Sequence, residues 1–158
     1  MKNGIRFGFD GDDSRKWQDG YKGVSIGPTN SLHASKAVEL GAVNYAERSD
    51  IGQIGLYNQA AGSDSVQCGL WNHSEDAKAT HDKARSLQVG VMNTAADRQR
   101  NIQIGAYNGA YENSDAIQIG LVCSAGEKGR VFQLGVLTIR NGGPWYSRIT
   151  PVVGWKRH

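Results

Sequence analysis

Residues 101–108 read NIQIGAYN. Fifteen residues on, residues 116–123 read AIQIGLVC, and fifteen before, residues 86–93 read SLQVGVMN. Aligned on its glycine, the phrase recurs at Gly27, Gly41, Gly55, Gly69, Gly90, Gly105, Gly120 and Gly135, at spacings of 14, 14, 14, 21, 15, 15 and 15 residues. Self-similarity at one short period is the mark of a repeat architecture, in which each unit buries its faces against its neighbours. The single long interval holds an insertion, HSEDAKATHDKARS, over residues 73–86.

Within the unit, glutamine precedes the glycine by two in Gln53, Gln67, Gln88, Gln103, Gln118 and Gln133, with Glu39 in an earlier unit. Asparagine follows it by three, from Asn30 to Asn108, until Cys123 and Thr138 replace it. In NIQIGAYNGA, Ile102, Ile104, Ala106, Asn108 and Ala110 fall on alternate positions, with Gln103, Gly105, Tyr107 and Gly109 between them. That is the two-residue period of a β-strand, and no helical stripe competes with it. Short polar segments such as ERSD, GSDS and DRQR are turn material. The expectation is one all-β domain over residues 1–158 with about ten strands. Repeats fill about 24–140, flanked by an N-terminal strand at 4–10 and a C-terminal hairpin at 130–156.

Two architectures fit this period. An antiparallel up-and-down meander, closed into a barrel, gives each unit one strand and one turn and removes exposed edges. A β-solenoid makes each unit one coil and stacks like residues into ladders. The meander or barrel is the preferred expectation, because nine straight residues do not close within a coil of 14 or 15, and the solenoid is the alternative. On the preferred reading, isoleucine and asparagine face inward and asparagine bonds to turn backbone. Glutamine then lies beside aromatic side chains on the exposed face. The glycine makes room for a bend or for a neighbouring aromatic ring.

Composition bounds the function. Net charge is +3, too mild to imply nucleic acid, although residues 128–158 hold six Lys or Arg and no Asp or Glu. Mean hydropathy is −0.51. No run reaches the ~20 apolar residues of a membrane helix, and the opening MKNGIRFGFDGDD lacks the apolar core of a signal peptide. These features suggest a cytoplasmic or virion-associated protein. Cys68 and Cys123 occupy different offsets in the unit and read as small buried side chains outside any disulfide framework.

The search for chemistry yields no catalytic residue, cofactor site or metal site. His73, Glu75, Asp76, His81 and Asp82 in the insertion lack the three or four convergent ligands of a zinc site. GFDGDD (8–13) lacks the twelve-residue pattern of a calcium loop. The serines and cysteines carry no activation signal.

The phrase GQIGLYNQA (52–60) resembles the bacterial "surface repeat" proteins built from tandem Q-[ILV]-G-[LV]-x-N units, over about residues 24–140. The resemblance implies the cell surface and brings no catalytic residue. The leading expectation is a non-catalytic structural or binding protein. It would present a polar-aromatic surface formed by Gln53, Tyr57, Gln67, Trp71, Gln103 and Tyr107 to a protein, a glycan or itself. One alternative is a small outer-membrane β-barrel with isoleucine toward lipid and glutamine toward the lumen. Another is an enzyme with its site on the 73–86 loop or near Trp145, Tyr146 and Arg148 of the C-terminal hairpin.

Overall fold

The computed structural model describes residues 2–7, 21–33, 36–47, 50–61, 64–75, 84–96, 99–111, 113–140 and 149–156. They form twelve strands and no helix. The first five are short: β1 (Lys2–Phe7), β2 (Tyr21–Ile26), β3 (Thr29–His33), β4 (Lys36–Leu40) and β5 (Val43–Glu47). The next six are long: β6 (Asp50–Ala61), β7 (Ser65–Glu75), β8 (Ala84–Ala95), β9 (Gln99–Ala110), β10 (Asp115–Ala125) and β11 (Val131–Arg140). The last is β12 (Ile149–Lys156). The insertion residues 76–83, the GFDGDD segment (8–13), and Trp145, Tyr146 and Arg148 lie outside the described residues.

All twelve strands belong to one sheet, and successive repeats pair in parallel. Like lies on like: Gln103 on Gln88, Gly105 on Gly90, Asn108 on Asn93. The exception is β12, which runs antiparallel to β11. The chain is a β-solenoid of about seven turns, and this overturns the expected antiparallel meander or closed barrel. With it falls the outer-membrane up-and-down barrel, whose neighbouring strands run antiparallel. Alternation along a strand is the same in parallel and antiparallel sheets, so the period alone could not choose. Stacking in register chooses, because it sets each side-chain amide beside an identical one.

Each rung closes by bending just after its glycine. The register pairs Gly55 with Gly69 and then Tyr57 with Trp71, leaving Leu56 and Leu70 out of the ladder. At that point the backbone N–H groups of Leu56 and Tyr57 both donate to Ala42 O, at 3.0 and 2.9 Å. Two donors on one acceptor mark a bulge, which turns the strand and shifts its alternation by one. Before the bend, the glutamine faces inward and isoleucine faces outward. Beyond it, asparagine and alanine face inward. Each rung is therefore two short arms around a narrow interior.

That interior is polar. Gln53, Gln67, Gln88, Gln103, Gln118 and Gln133 are at most 1% exposed, and Asn44, Asn58, Asn72, Asn93 and Asn108 are fully buried. Each glutamine crosses to the opposite arm. Gln103 Nε2 donates to Gly109 O at 3.0 Å in its own rung and to Gln88 Oε1 at 2.8 Å in the rung before. Asparagines donate the other way along the axis: Asn93 Nδ2 donates to Asn108 Oδ1 at 2.9 Å and to Ile104 O at 3.0 Å, both in the following rung. The asparagines thus bond to one another and to strand carbonyls, in place of the expected turn backbone. A hydrogen bond of this kind contributes about 1 kcal/mol net, whereas an orphaned amide at the same depth costs ~1–3 kcal/mol.

The columns are capped. Glu39 Oε2 accepts from Gln53 Nε2 at 2.7 Å where the glutamine column presents its donors. Arg140 Nε donates to Gln133 Oε1 at 3.5 Å where that column presents its acceptor. Burial draws the Arg140 guanidinium pKa below its usual value. At the start of the asparagine column, Ser25 Oγ donates to Asn30 Oδ1 at 2.8 Å. At its end, Asn108 Nδ2 lies 3.9 Å from Cys123 Sγ, whose thiol points to Leu134 O at 3.8 Å.

A second interior strip is apolar and mostly alanine. Leu32, Ala37, Ala46, Ile51 and Ala60 make one apolar cluster, and Ala110, Ala116, Ala125 and Val131 another. Between them Ser74 Oγ donates to Gln99 Oε1 at 2.6 Å. The central glycine faces the asparagine column: a Cβ on Gly105 would overlap Gly90 O and lie 2.6 Å from Asn93 Nδ2. Its neighbour is that amide, where the sequence reading allowed an aromatic ring.

Candidate functional surfaces

A polar interior sends the large apolar side chains outside. On the first arm three outward columns run along the solenoid. The one preceding each glycine by three includes Val66, Leu87, Ile102, Ile117 and Phe132. The next, directly before the glycine, includes Ile54, Cys68, Val89, Ile104, Ile119 and Leu134. The third, directly after it, includes Leu56, Leu70, Val91, Leu121 and Val136. Leu56 and Leu121 are each 59% exposed and Val136 is 68% exposed, so this face is uncovered along its length.

Cys68 belongs to this outer face and is exposed, which corrects its expected burial; Cys123 is buried, and both are free thiols. Burial raises the Cys123 thiol pKa above its ordinary value, partly offset by the Asn108 contact.

A charged column borders the apolar face, five residues before each glycine. It runs Lys22, Lys36, Asp64, Arg85, Arg100, Asp115 and Arg130, with Asp50 at the corresponding register position beside Lys36. Between this ridge and the apolar ridge that begins with Val66 lies a furrow of about 1020 Å³, extending from Ile51 to Arg130. Within the ridge, Asp115 holds Arg130 through the backbone N–H at 3.0 Å and the guanidinium at 3.4 Å. Asp64 Oδ1 accepts from the Arg85 backbone N–H at 2.9 Å.

The second arm presents a different surface. Tyr57 and Trp71 meet edge to face with ring centroids 5.8 Å apart, and Trp71 and Tyr107 are exposed. Beside them runs a bonded polar row. Tyr57 OH donates to Gln59 Oε1 at 3.0 Å, and Gln59 Nε2 to Glu75 Oε1 at 2.7 Å. His73 Nε2 lies 3.3 Å from the same Glu75 oxygen, and its Nδ1 lies 2.7 Å from Thr94 Oγ1. Burial first, then the charges of Glu47 and Glu75, raise the Tyr45 hydroxyl pKa.

The expected polar-aromatic row is thus divided. Tyr57, Trp71 and Tyr107 share the outer surface of the second arm, while Gln53, Gln67 and Gln103 are sealed inside the solenoid and offer nothing to a partner. The preferred reading turns these apolar columns inward; the outer-membrane barrel alternative alone sets isoleucine outside. Their signal was present: glutamine and asparagine scarcely vary among units, whereas the outward positions exchange Ile, Val, Leu and Cys freely.

Among the described residues no group of three His, Cys, Asp or Glu side chains converges, and no helix is long and apolar enough to cross a membrane. No protein-family model, no curated protein and no solved structure matches the chain.

Proposed function

We propose that this chain is a non-catalytic structural or binding protein that acts through its broad sheet faces. The observation that carries this reading is the inversion of the solenoid: amides fill the interior and the aliphatic side chains form long uncovered columns outside. Apolar surface of that extent on a water-facing chain marks an interaction site. Repetition spreads similar side chains along an axis and does not gather a unique constellation at one point. The resemblance to surface repeat proteins agrees with this reading.

The second arm supports a subsidiary role in binding glycans. Exposed rings beside a bonded row of amide, carboxylate and imidazole offer both an apolar platform and hydrogen-bonding groups.

Two variants separate these surfaces: Leu70→Ser with Val91→Ser on the first arm, and Tyr57→Ser with Trp71→Ser on the second. Each should keep the melting temperature near that of the parent chain. The first should lose protein association, and the second should lose retention on immobilised polysaccharides. Unchanged association and retention in both variants would overturn the reading.

A further inference from the structure

We propose that a second copy of this chain covers the apolar face, packed antiparallel about a two-fold axis that crosses the solenoid between the rungs of Gly69 and Gly90. This rests on the reading above and names the partner. The face is large enough. Eight rungs at about 4.8 Å, and four outward columns about 7 Å apart, give roughly 34 by 20 Å. That is roughly 700 Å², close to the ~800 Å² per partner of a standard interface.

Symmetry leaves two ways to lay this face on its twin. A two-fold along the solenoid axis sets the charged column against Leu56, Leu70 and Leu121, and desolvates charge on leucine. A two-fold across the axis sets each column on its own counterpart with the order of rungs reversed. Apolar columns then meet apolar columns, and the charged ridges meet each other.

The ridge sequence matches that second arrangement. In reversed order Asp64 faces Arg85, Asp50 stands at the register position opposite Arg100, and Asp115 faces Lys36. Asp64 and Asp115 each meet a cation, and each pair occurs twice across the axis. The one like pair, Lys22 with Arg130, falls at the outer ends, where Arg130 is already held by Asp115 at 3.4 Å. Opposed charges at a rim fix orientation and speed encounter.

Sedimentation and light scattering on the whole chain test the proposal. The wild type should dimerise, and Leu70→Lys should abolish the dimer. Arg85→Glu and Asp64→Lys should each weaken it at least tenfold. An equimolar mixture of those two variants should recover near wild-type affinity, because only the antiparallel heterodimer sets Glu against Lys and retains Asp64 opposite Arg85. Asp64 also accepts a bond within its own chain, but loss of that bond cannot be repaired by mixing. If Asp64→Lys fails to fold by circular dichroism, Lys36→Glu mixed with Asp115→Lys makes the same test. A monomeric wild type, or a mixture that stays as weak as its parts, overturns the dimer. The broader reading would survive that result if the Leu70 and Val91 serine variant still lost association with other proteins.

Discussion

From Asn30 to Asn108 every unit carries the asparagine; the last two units carry Cys123 and Thr138 instead. The glycines record the difference. A Cβ on Gly55, Gly90 or Gly105 would overlap the preceding glycine's carbonyl oxygen and lie 2.6 Å from the preceding asparagine Nδ2. On Gly135, the glycine that follows Cys123, the nearest atoms would be Gly120 O at 2.8 Å and Cys123 Sγ at 3.2 Å. The bend persists there, since the register still passes from Gly135 to Leu137. Tightness therefore follows the asparagine more than the bend. Glycine and asparagine act as one interlock shared between neighbouring rungs.

The strongest way to break that contrast is a series of alanines read by urea unfolding. Gly105→Ala should cost ~3 kcal/mol or more, since backbone and a bonded amide must both move. Gly135→Ala should cost less, about 1–2 kcal/mol, because its Cβ would press on Gly120 O only at 2.8 Å and on a thiol that can yield. Gly52→Ala should cost nothing or stabilise by a few tenths up to ~1 kcal/mol, because its Cβ would meet only Val38 at 3.6 Å. Equal losses at Gly105 and Gly135 would show that the bend alone demands glycine.

The glutamine column allows the same comparison between middle and end. Gln103→Leu leaves Gln118 Nε2, Gln88 Oε1 and Gly109 O each short of a partner, and should cost ~3 kcal/mol. Gln133→Leu, at the column's end, also strands three groups, but its bonds with Ile139 O and Arg140 Nε are long, at 3.4 and 3.5 Å, and it should cost roughly half as much. The smallest change restores the motif. Cys123→Asn gives Asn108 a full acceptor and should stabilise by about 1 kcal/mol. A loss there would mean that the last rungs have adapted to their smaller side chains.

Much of this fold was legible in the sequence. The glycine spacing set the rungs and their register, and alternation set the strands. Direction was hidden, because a two-residue period is common to both kinds of sheet. The preferred reading reverses the facing of Gln103 and Ile104, which the outer-membrane barrel alternative has right, and the reason is physical. Hydropathy sends isoleucine inward only where the interior is wide enough to pack it. Here the two arms are close enough for one glutamine to bridge them, and the stack sets each glutamine from Gln53 to Gln133 beside another glutamine. The odd spacing from glutamine to asparagine, five residues, was the trace of the bulge: two inward residues on one unbroken strand stand an even number apart. The furrow and its charged ridge needed the parallel direction as well, since only stacking of like on like sets Asp64, Arg85 and Asp115 in one column.

The two amide columns point in opposite directions along the axis. Glutamine amides donate toward the N-terminus, from Gln133 to Gln53, and asparagine amides toward the C-terminus, from Asn30 to Asn108. Each added rung contributes two side-chain dipoles that largely cancel. An α-helix, by contrast, sums its peptide dipoles into a terminal charge of about half a unit at each end. These columns accumulate no such moment, so electrostatics sets no ceiling on the number of rungs. Gene duplication in steps of one unit can lengthen or shorten the rod while Glu39, Arg140, Ser25 and Cys123 continue to close its ends.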